Sequence, residues 1–217
     1  MRPEHEREAW LVLASAPGVG DESFGRLLGV FGSALDVLDA SGDGRLRAAS
    51  IDWQRRTGRP LITAPVLAGI RSVAVEGARR LDRVKELGLW SVTPLDGDYP
   101  ERLRSLDPPP AVIYGWGDPT ALSGDRAVAV VGTRRPTAAG RMLAGQICSR
   151  LVECCAVVVS GLAVGIDGAA HAAVVERHGQ TVGVIGAGHD QPGPRAHDRL
   201  RREILDNGGA IVGEHHP

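Results

Sequence analysis

Three stretches of the chain carry residue types suited to holding an anion. The first is Gly132-Thr133-Arg134-Arg135-Pro136-Thr137, where two adjacent guanidinium groups precede a helix that Thr137 can cap. Guanidinium forks and the unpaired N–H groups of a helix start both favour phosphate or carboxylate oxygens. Taken alone, the adjacent arginines read equally well as a solvated surface pair. The second stretch runs Ser160-Gly161-Leu162-Ala163-Val164-Gly165-Ile166-Asp167-Gly168-Ala169-Ala170-His171. Gly161 and Gly165 let backbone approach a ligand closely, Asp167 is placed to cap the following helix, and His171 falls one turn later on the same face. A serine-hydrolase elbow is excluded, because it needs glycine two residues either side of Ser160, where Val158 and Leu162 stand. His171 reads as a packed or surface imidazole in preference to a base. The third stretch, Gly186-Ala187-Gly188-His189-Asp190-Gln191, begins like a dinucleotide fingerprint but has Gln191 where the third glycine belongs. Asp206 lies at the right distance downstream for a ribose ligand, yet inside a helical pattern. No nicotinamide or other cofactor is expected.

These loops need a frame, and the pattern after Arg126 supplies one. Apolar runs at 127–131, 156–160, 181–185 and 210–212 alternate with helical patterns at 141–152, 167–177 and 196–206. Strands without polar alternation, separated by helices, predict an α/β fold with a Rossmann-like parallel sheet covered on both faces, and ligands then bind at the carboxyl ends of its strands.

The preceding half reads differently. A helix over 8–16 runs into the glycine hairpin Pro17-Gly18-Val19-Gly20 and a second amphipathic run with Phe24, Leu27, Leu28 and Phe31. The hairpin either offers N–H groups to a phosphate, with Asp21 or Ser23 capping the next helix, or is a tight turn between packed helices. A longer helix spans about 65–87. A strand over 89–93, the rigid Asp107-Pro108-Pro109-Pro110 and a strand over 111–114 follow; three prolines in a row cannot supply ladder donors and belong at a sheet edge or across a surface. The expected organisation is a small helical, sterile-alpha-motif-like module at 1–64, a helix and proline-rich connector packing on the sheet at 65–125, and an α/β domain at 126–217.

Composition narrows the partners. With 217 residues and 43% hydrophobic content the chain can bury a core, and 25 basic against 26 acidic side chains leave no global field that would attract nucleic acid or anionic lipid. Residues 1–125 carry a net −3 and residues 126–217 a net +2, so any anion must be met by a local patch. Lys85 is the sole lysine and follows Val84, which removes a P-loop. Cys148, Cys154 and Cys155 lack the paired spacing of a zinc site and are expected to be small buried hydrophobes. No apolar run reaches the roughly 18 residues of a membrane span, and no leader-like segment opens the chain, so a cytoplasmic protein without a membrane partner is expected.

Together, Gly132-Thr133-Arg134, the Ser160–Asp167 run with Ala170-His171, Gly186-Ala187-Gly188-His189-Asp190 and Gly213-Glu214 resemble the DNA-processing protein A family, also called Smf. The first half is similar in the same order, through Ala16-Pro17-Gly18-Val19-Gly20, Leu28, Phe31-Gly32, Thr93-Pro94-Leu95-Asp96, Asp98-Tyr99-Pro100, Leu103 and Pro109-Pro110. The resemblance implies a non-catalytic protein that binds single-stranded DNA during uptake and natural transformation, displaces single-strand-binding protein and helps load the RecA recombinase. It also implies DNA contacts at Thr133, Arg134, Arg135, Ser160, Gly161 and Gly165.

Departures from the family pattern qualify this. Gly193 stands where a tyrosine is usual and His197 where an asparagine is, and no Phe, Tyr or Trp follows residue 126. Base stacking is worth about 1–3 kcal/mol per base. Its loss implies weaker, more salt-sensitive binding than the family norm. The family also continues beyond Gly213-Glu214 with further strands and commonly a winged helix, so a truncated sheet is expected, with the homodimer and RecA contacts that map to that portion weakened. Two other readings stay open: a nucleotide-handling enzyme related to the phosphoribohydrolases, whose Pro-Gly-Gly-x-Gly-Thr-x-x-Glu stretch is not found here, and a non-functional remnant.

Overall fold

The structure is a computed structural model that describes residues 3–191, 193 and 197–217. Pro194 and Ala196, part of the third strand-end loop and the expected start of the last helix, lie outside the described residues. The chain divides into two compact units, one holding the residues through Leu87 with Ser91–Ile113 and His216, the other Gly88–Trp90 with Tyr114–His215 and Pro217.

The first unit is helical: α1 (Pro3–Ala14), α2 (Asp21–Phe31), α3 (Ala34–Asp43), α4 (Arg45–Thr57), α5 (Ala64–Glu86) and the short α6 (Glu101–Arg104). Leu13, Leu27, Val37, Leu46, Ile70 and Val73 are fully enclosed at its centre. The last two come from α5, which packs on α1 and α3 and so belongs to the helical core. At the start of α2, Ser23 Oγ accepts from the Gly20 N–H at 3.0 Å and donates to the Gly20 carbonyl at 2.8 Å, while Asp21 Oδ1 accepts from the Ala111 N–H at 2.9 Å. Ser23, of the two residues the sequence offered, does the capping.

The sheet comprises β1 (Trp90–Val92), β2 (Ile113–Gly117), β3 (Ala127–Ala129), β4 (Val157–Ser160), β5 (Thr181–Val184) and β6 (Ala210–Gly213), in the order β1-β2-β6-β5-β4-β3, with β3 to β6 wholly in the second unit. The run β3 to β6 is parallel, as its uninterrupted apolar sequence predicts, while β2 lies antiparallel to β6. Crossover helices α7 (Ala138–Glu153), α8 (Ile166–Val175) and α9 (Asp198–Asp206) connect the parallel strands. Thr137 caps α7 as expected, its Oγ1 accepting from the Gly140 N–H at 3.0 Å.

The three crossover helices share one face of the sheet. Helix α7 packs on α8 and α8 on α9, so the three form one layer. Each crossover steps to the next strand in the same direction, and right-handed connections of that kind all deposit their helices on one side. On the other side Val182, Ala210 and Val212 are buried, and Val184 at the end of β5 is 42% exposed. Among the described residues no helix is long and apolar enough to cross a membrane.

The cysteines divide. Cys148 is fully buried against Val158, Ala170 and Val174, and burial pushes its thiol pKa up. Cys154 and Cys155 are exposed, contrary to the sequence expectation, because α7 ends at Glu153 and the turn into β4 carries them to the surface. Under native conditions an alkylating reagent should therefore label two thiols, with Cys148 reacting only after denaturation. Rapid labelling of all three in the folded chain would contradict this packing.

Candidate nucleic-acid interface

The loops after β3, β4 and β5 meet at the carboxyl end of the parallel sheet. A cleft of about 320 Å³ opens there, lined by Arg134 from the first loop, Gly161–Val164 from the second, Ile185–Gly188 from the third, and Arg201 from α9.

The second loop forms the floor and is fixed from three directions. Leu162 adopts a left-handed backbone (φ 52°) that non-glycine residues rarely take, and sends its side chain into the core with Leu200, Ile204 and Ile211. Its carbonyl accepts from His197 Nδ1–H at 2.9 Å. At the far end Gly165 turns the chain with φ 104° and lies against the first loop, where a Cβ would stand 2.3 Å from the Thr133 carbonyl oxygen. That carbonyl accepts from the Ile166 N–H at 3.2 Å, joining the first loop to the start of α8.

Gly165 is thus the residue preceding α8, in place of the cap expected at Asp167. Asp167 lies inside the first turn, buried, with Oδ1 accepting from the Gly132 N–H at 3.4 Å and Oδ2 packed beside Gly161. Its carboxylate therefore braces the two loops from beneath. The backbone N–H groups of residues 161–165 find no acceptor among the described residues, and they lie beside the amino end of α8, where the helix dipole favours negative charge.

The residues predicted from sequence separate accordingly. Arg134 and Gly161 line the cleft, and Gly165 shapes it. Thr133 is exposed on the first loop, where its Oγ1 accepts from the Arg135 N–H at 3.1 Å; the Arg135 side chain is exposed outside the cleft lining. Ser160 is buried, and its hydroxyl donates to the Val130 carbonyl at 2.6 Å, tying β4 to the chain just after β3. Its hydroxyl therefore faces the sheet and not the cleft. Two contributors were missed. Arg201 brings a second guanidinium that is only 21% exposed, and its signal was a position on α9 one turn beyond Asp198, 3.8 Å from it. His197 anchors Leu162 from the position where the sequence departs from the family pattern.

His171 is packed below this rim. Its Nδ1–H donates to Thr181 Oγ1 at 2.8 Å, since the threonine hydroxyl itself donates to the Val158 carbonyl at 2.7 Å. Burial holds its pKa down at about 4, although the nearby Asp167 charge pulls the other way. Because the folded value lies below the ordinary 6.5, the unfolded chain binds the extra proton, so stability is complete above pH 6.5 and drains away as pH falls toward 4. At 1.36 kcal/mol per pKa unit the loss amounts to about 3 kcal/mol. Denaturant titration at pH 7 and pH 4 should show His171→Gln losing less stability than the wild type by about that amount. Equal losses would contradict a buried neutral imidazole.

A parallel sheet with glycine-rich strand-end loops, helices in the crossovers and arginines at its carboxyl end places the chain among Rossmann-like α/β proteins. The chain belongs to the DNA recombination-mediator protein A family, whose model matches residues 90–217. It is 32% identical over 181 residues to the DNA processing protein DprA of Bacillus subtilis, covering 77% of this chain and 61% of that relative. Protein Smf of Escherichia coli is 35% identical over 122 residues, which are 56% of this chain and 32% of the relative. Among solved structures, DNA processing protein A from Streptococcus pneumoniae superposes with a TM-score of 0.55 at 28% identity, over 83% of this chain and 66% of that one. The Helicobacter pylori protein, described for its unique single-stranded DNA binding mode, gives 0.52 at 27% identity over 59% and 56% of the two chains. The chain thus spans less than two thirds of the length of these relatives.

Proposed function

We propose that this chain binds single-stranded DNA at the strand-end cleft and performs no chemical step on it, serving DNA processing in recombination. The convergence of Arg134, Arg201 and the free amides of residues 161–165 on one cleft carries the reading. Two guanidinium forks and a row of N–H donors suit backbone phosphates, and the glycines let the strand lie close to the protein backbone. The relative from Helicobacter pylori, whose single-stranded DNA binding is named in its structure's description, supports the choice of ligand. Delivery of the bound strand to the RecA recombinase during natural transformation, by a homodimer in the cytoplasm, is the role the family resemblance adds. Titration of a fluorescent oligothymidylate at several salt concentrations tests the reading. Affinity should fall linearly on a log–log plot, with a slope near −0.7 for each phosphate contact. Binding that ignores salt, or release of free base from nucleoside monophosphates, would overturn it.

A further inference from the structure

We propose a second single-stranded DNA contact on the solvent face of α4 in the helical unit, made by Arg47, Arg55 and Arg59. The proposal rests on the reading of the chain as a single-stranded DNA binder.

Residues 45–59 hold five arginines within a half of the chain whose net charge is −3. Two of them are occupied. Arg45 Nε lies 2.6 Å from Asp43 Oδ2, and Arg56 lies 3.9 Å from Asp52. Arg47, Arg55 and Arg59 are exposed and have no carboxylate at ion-pair distance among the described residues.

Helix geometry aligns them. Leu46 is buried in the core and Trp53 packs against it, so α4 has a defined inner face. Positions 47, 51 and 55, each four apart, form a ridge on the outer face, with roughly 12 Å between Arg47 and Arg55 at 1.5 Å per residue. Ile51, 46% exposed, stands between Arg47 and Arg55 along this ridge. Beyond the helix, Gly58 turns with φ 75° and its N–H donates to the Gln54 carbonyl, while Thr57 Oγ1 accepts from the Arg59 N–H at 3.3 Å. These bonds hold Arg59 at the end of the same element.

The helix dipole separates a stability role from a binding role. Arg55 lies in the last turn, where a cation is favourable. Arg47 lies in the first turn, at the positive end, and that turn contains no acidic residue. The carboxylate at that helix end, Asp43, is engaged with the Arg45 N–H and side chain, so Arg47 adds a further cation against the dipole, and departures of this kind are expected at functional positions. A line of charge of this length matches an extended polyanion better than a single compact phosphate.

The test uses the full chain in oligothymidylate titrations across salt concentrations. The variant Arg47→Gln with Arg55→Gln and Arg59→Gln should keep the wild-type melting temperature and show a log–log salt slope shallower by about 2, from about 0.7 per contact. Lysine at the same three positions should restore the slope, since charge at the phosphate is what counts. If the glutamine variant keeps the wild-type slope and affinity while Arg134→Ala reduces both, the α4 contact is wrong and the strand-end reading stands. If the wild type itself shows no salt-dependent binding, the reading of the cleft fails, and this contact falls with it.

Discussion

Gly165→Ala should strip the chain of most of its single-stranded DNA affinity and lower its melting temperature by on the order of 10 °C, as a loss of about 3 kcal/mol from a domain of this size implies. Two costs combine at this position. The residue sits at φ 104°, a conformation that L side chains rarely adopt, and its new Cβ would lie 2.3 Å from the Thr133 carbonyl oxygen and 2.7 Å from the Arg134 Cα. Backbone cannot yield as a flexible side chain can, so the first and second loops must part. That separation breaks the Ile166 N–H bond to Thr133 and moves Arg134 away from the amides it faces. Gly186→Ala is the matched control. It stands in the lining of the same cleft, yet a Cβ there meets nothing within 4 Å, so its stability should stay close to wild type. Thermal melts of the two variants side by side check the argument. Equal, small effects would mean that the loops are not locked together at Gly165.

The second large effect is expected at the arginines, and it differs between neighbours. Arg134 lines the cleft whereas Arg135 does not. Hydrogen bonds to charged groups contribute about 1.5–3 kcal/mol, so Arg134→Ala should weaken binding roughly 10- to 100-fold. It should also reduce the salt slope by about 0.7. Arg135→Ala should cost clearly less, and Arg201→Ala should behave like Arg134→Ala because its guanidinium reaches the cleft from α9. Because no aromatic side chain follows residue 126 to stack a base, phosphate contacts carry a greater share of the affinity, which magnifies both numbers. Equal losses at Arg134 and Arg135 would point to a diffuse charge effect in place of a defined cleft.

The parallel strands were legible because each is a continuous apolar run bounded by turn residues, and Thr137 was legible as a cap because its type and place agree. That α7, α8 and α9 share one face was not, since it depends on strand order, which no local pattern records. Likewise nothing local distinguishes the buried Ser160 hydroxyl from one facing the ligand. Its direction follows from the pleat of β4 and a bond to Val130, 30 residues earlier in the chain. Asp167 looked like a cap because aspartate before a helix usually is one. The left-handed turn at Gly165 starts the helix sooner and frees that carboxylate to reach Gly132. Arg201 could be found only by knowing that α9 runs beside the third loop. For Cys154 and Cys155 the average burial of cysteine misled, because the decisive fact was where α7 stops.

The central claim, that the second-loop amides and Arg134 grip a single strand, is tested most directly by amide hydrogen exchange with and without oligothymidylate. Exchange at residues 161–166 and 132–135 should slow on addition of the oligonucleotide, and that protection should fade as salt is raised. Protection confined to other segments, with these two loops exchanging at their free rates while DNA is bound, would contradict the account.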